Sequence, residues 1–480
     1  MPELNYETIL IPTRRRTSSG SRSSNIEEFS SDRSRIVFSS SFRRLQQKAQ
    51  VFSLESNSFV RTRLTHSLEV ADVGRNLALK ITEELAKNKH ISSTSQQEIL
   101  LVVENACYLH DFGNPPFGHF GEEAIREWSK DNLEGYAKKA GVDSEKIASR
   151  LNDFYEFDGN PQGLRMVTRL HCENCDPYGL NISYPTLLSC IKYTRTTGEP
   201  EDKALNKKPA YFQSELPLVM QMYDSFGISR STRYPLSYIM EAADDISYCL
   251  SDISDGIEKK ILSAEDFVKA LHKEWIKTHP QIKDIKVARK YVFVEDELLL
   301  PKGVIKYYNR EIAIQISKYV ISKAAEAYLN KEEEIFNGTC TGLIDPKSEA
   351  GKLLDAIKKI ARNKLYRSSE AENIEISGYA VIRGLLNCYS RLISLPRTKF
   401  DLLMAGKGAR QHLDYEWRLL NRISQRLKTA YKQQLDEFDN SDETEWWLRI
   451  HMIVDYISGM TDDFALKIFQ MLEGISIQTK

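Results

Sequence analysis

Long hydrophobic runs are missing from this chain. None approaches the roughly 18 residues that a membrane-spanning helix needs, and no signal-peptide core opens it. The expectation is a cytoplasmic protein with no membrane partner. Net charge is nearly absent as well: 66 Lys and Arg stand against 67 Asp and Glu, a formal charge of −1. That balance excludes a global attraction to nucleic acid, so any polyanion must be met locally. Cysteine is sparse, with seven in 480 residues and no regular spacing, which fits a reducing compartment better than a disulfide scaffold. The one Cys-x-x-Cys, Cys172-Glu173-Asn174-Cys175, has no second copy and only His171 and Cys190 nearby, so it reads as a loop rather than half a zinc site. Internal repeats are missing too. The length admits two or three domains, or one intertwined helical core with appendages.

What is present concentrates between Tyr108 and Glu122. The run Glu98–Leu109 has a buried-helix pattern, and Val103, Ala106 and His110 share one of its faces. That face delivers His110 and Asp111 toward a core, where unpaired charge costs several kcal/mol. A divalent cation is one compensation; two satisfied polar groups at a helix end are the plain alternative. Gly113 and Pro115-Pro116 then end the helix and stiffen a loop, which returns His119 at a fixed offset, as preorganised catalysis requires. Glu122 sits in the first turn of the next helix. There it either complements the dipole or orients His119.

Two further helices supply matching residues. In Arg61–Leu77, His66, Val70, Val73 and Leu77 fall at i, i+4, i+7 and i+11, placing His66 on the apolar stripe. Arg61 and Arg63 before it are surface charges or phosphate clamps. In Ser237–Gly256, Asp244, Tyr248 and Asp252 align at i, i+4 and i+8 beside a core stripe, a pocket wall with Asp244 rather than Asp245 facing the site. Lys192 and Tyr193 end an apolar helix, and Lys208 follows a polar loop. Trp446–Ala465 reads as two closing helices around a Ser-Gly joint. Tyr291-Val292-Phe293-Val294 is a candidate short strand or hairpin. Arg14-Arg15-Arg16 and the Ser-rich tract after it have the composition of mobile chain, a basic run able to close over a ligand or meet a neighbouring subunit.

Gathered together, His66, His110, Asp111 and Asp244 form a two-His, two-carboxylate set drawn from three helices. Such a set suits manganese, iron, cobalt, zinc or magnesium and leaves room for water and a substrate oxygen. The order His…His-Asp…Asp resembles the HD-domain phosphohydrolases. The likeness extends to Asp32–Ile36 with Phe42–Gln46, Arg61–Ser67, His110–Glu122, Glu241–Ile246 and Asp455–Asp462. Together these resemble the bacterial deoxyguanosinetriphosphate triphosphohydrolases, from about residue 32 to about residue 465.

That resemblance implies hydrolysis of a dNTP to deoxynucleoside and inorganic triphosphate. Position by position, it implies that His66, His110, Asp111 and Asp244 hold the metal, with manganese, magnesium or cobalt expected. His119, supported by Glu122, is then the acid/base residue near the α-phosphorus and the 5′ oxygen. Gln50 and Asp252 would bind the 3′-hydroxyl, and Tyr248 would pack on the deoxyribose so that a 2′-hydroxyl clashes. Arg63, Asn160, Lys192, Tyr193 and Lys208 would contact the triphosphate. A homo-oligomer, tetramer or hexamer, is implied as well, with single-stranded DNA or a second nucleotide as regulator. No base-reading position is matched, so preference for dGTP comes from the family name alone. The rivals are an HD-type hydrolase of another phosphate ester and a catalytically silent nucleotide- or DNA-sensing regulator.

The fold expected is all-α: an HD-domain helical fold with additional C-terminal helices. Residues 1–31 form a flexible basic segment, 32–262 the metal-dependent core, and 263–480 a helical region packed on it. The stretch from His171 to Tyr184 is an apparent insertion beside the pocket.

Overall fold

The computed structural model describes residues 5–55, 57–171, 176–201, 204–278, 310–407 and 412–476. Helix dominates, as expected. Among the described residues the only sheet joins Arg195–Thr196 to Pro209–Tyr211 in parallel. The strand expected at residues 291–294 and the Cys172–Cys175 motif lie outside the described residues.

The centre is a pair of long helices, Arg63–Lys87 and Ser93–Leu109, packed along each other and crossed by Ser237–Glu258. Thr62 starts the first with a capping box, exchanging hydrogen bonds with Thr65. Its buried stripe runs His66, Val70, Leu77, Ile81 and Leu85, the spacing of one helical face. Ser93–Leu109 is apolar almost all round from Ile99 onward and is buried accordingly.

Two hydrophobic cores result. The first gathers the N-terminal segment, the three central helices and the later helices Arg310–Asn330 and Glu349–Lys364. The second gathers Gly118–Ala140 and Ser144–Tyr155 with the chain from Val381 to Ile468. The loop after His110 crosses from one to the other: Leu109 and Phe112 pack in the first core, Phe117 in the second. The Asp442–Ser458 helix, with Trp446 and Trp447 fully buried, closes the second core.

Parts of residues 5–31, whose composition is that of mobile chain, pack on the body of the protein. Tyr6, Ile9 and Leu10 are buried in the first core. Arg14 donates to Glu28 at 2.8 Å and to the Asn181 carbonyl at 2.7 Å, and pairs with the fully buried Asp32. Arg16 pairs with Asp176 at 2.8 Å. The basic run is thus neutralised by acids distant in sequence, and the described part of the 171–184 stretch is its dock.

Candidate metal centre and substrate cavity

His110 caps the Ser93–Leu109 helix, and the loop behind it is staked at several points. Asp462 accepts from the backbone N–H of Ala49 at 3.0 Å and of Phe117 at 3.2 Å. Lys48, fully buried, donates to the carbonyls of Asn114 at 2.5 Å and Ser458 at 2.8 Å. A Cβ at Gly113 would lie 2.1 Å from the Gly159 carbonyl and the Gly163 nitrogen, so only glycine lets the loop meet the next helix this closely. Phe117 and Gly118 have φ of 62° and 56°. A left-handed phenylalanine costs about 1 kcal/mol or more, borne by its burial in the second core. The closing helices therefore do more than pack, because Ser458 and Asp462 fix the loop that carries His119.

Beneath this loop the side chains of His66, His110 and Asp244 converge, with ligand-capable atoms all within 4.8 Å of one another. His66 Nε2 and His110 Nε2 lie 3.4 and 3.5 Å from the same oxygen, Asp244 Oδ1. Neighbouring ligands of an ion bound at about 2.1 Å sit roughly 3 Å apart, so the spacing fits a metal. The valence fits too. His110 Nδ1 is 2.6 Å from the Cys107 carbonyl, which makes it the N–H donor, and leaves Nε2 as a buried lone pair with no hydrogen-bond partner.

Asp111 stands slightly apart. Its Oδ2 accepts from Arg63 at 2.8 Å and lies 3.8 Å from His110 Nε2, while its other oxygen takes the Asn114 amide. Burial works to raise the Asp111 carboxyl, but Arg63, His110 and His66 outweigh it and hold it at about 2. Asp244 follows the same logic: burial opposes ionisation, yet Lys192, His110 and His66 keep its carboxyl well below the usual range. Lys192 pairs directly with Asp244.

Above the cluster lies a cavity of about 580 Å³, within the range of small-molecule sites. Every sequence-predicted site residue lines it except His66 and Asp252, which are fully buried. On one lip the exposed His119 places Nδ1 2.9 Å from Glu122 Oε2. Glu122 is buried and also accepts from the Gly159 N–H at 2.8 Å. Burial pushes its carboxyl up, but the His119 bond and charge and the nearby Lys208 carry it below the ordinary value. Lys208 and Asn160 share Asp158, at 2.7 and 2.6 Å, and Tyr193 stands beside Lys192. On the facing wall Tyr248 joins residues from the C-terminal half, Arg362, Tyr366, Arg367 and Glu375 among them.

Residues 63–179 match the model of the HD domain, and residues 345–471 match that of the phosphohydrolase-associated domain. Deoxyguanosinetriphosphate triphosphohydrolase from Yersinia enterocolitica is 34% identical over 92% of this chain and 93% of its own. The protein of that name from Serratia proteamaculans is 32% identical over 93% and 94%. The chain belongs to the deoxyguanosinetriphosphate triphosphohydrolase family. Divalent-metal binding follows from the HD domain together with the His66, His110 and Asp244 cluster. No described helix is long and apolar enough to cross a membrane.

The cavity residues that sequence reasoning missed come from 362–375, a stretch of the family's associated domain. They sit on the facing ends of two ordinary amphipathic helices, Glu349–Lys364 and Ser369–Ile393, and on the turn between them. Nothing in their spacing sets them apart from a solvated helix end.

Proposed function

We propose that the protein hydrolyses dGTP, and to some extent other dNTPs, to deoxynucleoside and inorganic triphosphate, using a divalent metal ion. One observation carries this reading: a partnerless, buried His110 Nε2 lies 3.5 Å from Asp244 Oδ1 under a cavity whose lip bears the His119–Glu122 pair. His66, His110, Asp111 and Asp244 would hold the ion, with manganese, magnesium or cobalt the expected metals. When bound, such an ion supplies Lewis-acid polarisation of water and screening of phosphoryl charge.

The chain's own groups account for the remaining chemistry. Glu122 takes His119 Nδ1, which orients the ring and leaves Nε2 available to protonate the departing 5′ oxygen. Lys192, Lys208 and Arg63 supply fixed positive charge for the triphosphate, with Asn160 and Tyr193 as neutral donors. Each cation already faces a carboxylate, Asp244, Asp158 and Asp111 respectively, so each is held in place before substrate arrives. Gln50 and Asp252 would bind the 3′-hydroxyl, with Tyr248 packed on the deoxyribose. A homo-oligomer, tetramer or hexamer, in the cytoplasm, answering to a second nucleotide or single-stranded DNA, completes the proposal.

The test is anion-exchange analysis of products after incubation with each dNTP and with GTP, in manganese and in EDTA. Metal-dependent release of nucleoside and triphosphate is expected, with dGTP turned over fastest. Pyrophosphate or orthophosphate as the primary product would overturn the reaction. No turnover in any mixture, including one with single-stranded DNA, would favour a silent sensor.

A further inference from the structure

The sugar end of the cavity has a member that no motif supplies. Asp252 is fully buried and does not line the cavity. Tyr366, just beyond the Glu349–Lys364 helix, lines the cavity and reaches it. Its hydroxyl donates to Asp252 Oδ2 and lies 2.7 Å from the Tyr248 hydroxyl. A phenol has one proton to give, and the Tyr366 hydroxyl, within hydrogen-bond distance of both Asp252 and Tyr248, ties the two side chains together. The acceptors around it remain unfilled: Asp252 Oδ1 and the Gln50 side-chain carbonyl are both buried with no hydrogen-bond partner. Two orphan acceptors call for a ligand that donates, and an alcohol is the smallest group that does so. Burial pushes the Asp252 carboxyl up to about 7, with the Tyr366 bond opposing that rise.

We infer that Tyr366 is the specificity-determining positioning residue of the sugar site. It holds the Asp252 carboxylate and the Tyr248 ring as one unit that seats a sugar bearing a 3′-hydroxyl. The inference rests on the reading that this cavity takes a dNTP. Tyr366 acts through other residues, since its hydroxyl is taken up by Asp252 and Tyr248.

The measurement is kcat and KM of wild type and Tyr366→Phe for dGTP and for 2′,3′-dideoxy-GTP, with thermal melting of both proteins. Wild type is expected to prefer dGTP at least tenfold in kcat/KM. Tyr366→Phe keeps the ring and the packing but loses the proton donor, so its preference should fall by tenfold or more at an unchanged melting temperature. An undiminished preference in Tyr366→Phe, or none in wild type, overturns the inference and leaves dNTP hydrolysis standing. No turnover of either nucleotide by wild type removes both.

Discussion

Among the described residues buried histidines meet aspartate in each of the two cores, and only one of the two arrangements belongs to a site. In the first core His66 and His110 meet Asp244 at 3.4 and 3.5 Å. In the second core His451 meets Asp153 at 3.0 Å. By residue type the two are near twins. They differ in valence and access. Both Asp153 oxygens are filled, accepting from Thr197, the Gln213 N–H, Trp447 at 3.2 Å and His451. Asp153 and His451 are both fully buried. His110, in contrast, keeps an unused lone pair under an open cavity. A satisfied network stiffens a core; an unsatisfied one that opens on a cavity invites a ligand.

The sharpest test of that contrast is to truncate one histidine in each. His110→Ala is expected to abolish metal binding and turnover while melting near the wild-type temperature, read by metal titration and product release. His451→Ala should do the reverse, leaving Asp153 short of a donor and a cavity beside Trp447. A stability loss of about 2–4 kcal/mol follows, with kcat nearly unchanged below the transition. If His451→Ala lost its metal with its fold intact, the second pair would not be a mere strut.

Next in size is His119→Ala, which should keep metal and substrate affinity and lose roughly 10²–10⁴ in kcat, the usual worth of a positioned acid. Near-wild-type turnover in that variant would dismiss the acid/base assignment. The smallest effect concerns pH. Burial raises the Asp153 carboxyl to about 6, above its unfolded value, against the pull of its hydrogen bonds. Its contribution to stability is therefore full below about pH 4 and is lost as pH rises through 6, at up to about 1.4 kcal/mol per pH unit. Urea unfolding of wild type and Asp153→Asn between pH 4 and 7 should show that slope in the first protein and not in the second.

How far the sequence speaks depends on how local the chemistry is. His66, His110 and Asp244 were legible because each lies on a periodic helix, and the loop from Gly113 to Glu122 because its glycines and prolines announce a fixed geometry. Asp252 illustrates a limit: its i+8 alignment with Asp244 is right, but alignment along a helix does not reveal that Tyr366, more than a hundred residues later, covers it. The N-terminal arginines misled for the same reason. Composition sees Arg14-Arg15-Arg16 as solvated, while their partners Glu28, Asp32 and Asp176 are acids that only folding brings alongside. Ser458 and Asp462 looked like the end of a packing helix pair, and their hold on the catalytic loop is visible only in three dimensions.

The loop from His110 to Gly118 spans the boundary between the two cores, so the proposed ion ligands and the proposed proton donor stand on different foundations. Their separation is a mechanical quantity, set by how the two bodies are seated on each other and gauged through Lys48 and Asp462. An enzyme arranged this way can be detuned without touching either group. Any load that shifted one body relative to the other would leave the His66, His110 and Asp244 cluster intact and carry His119 away from it.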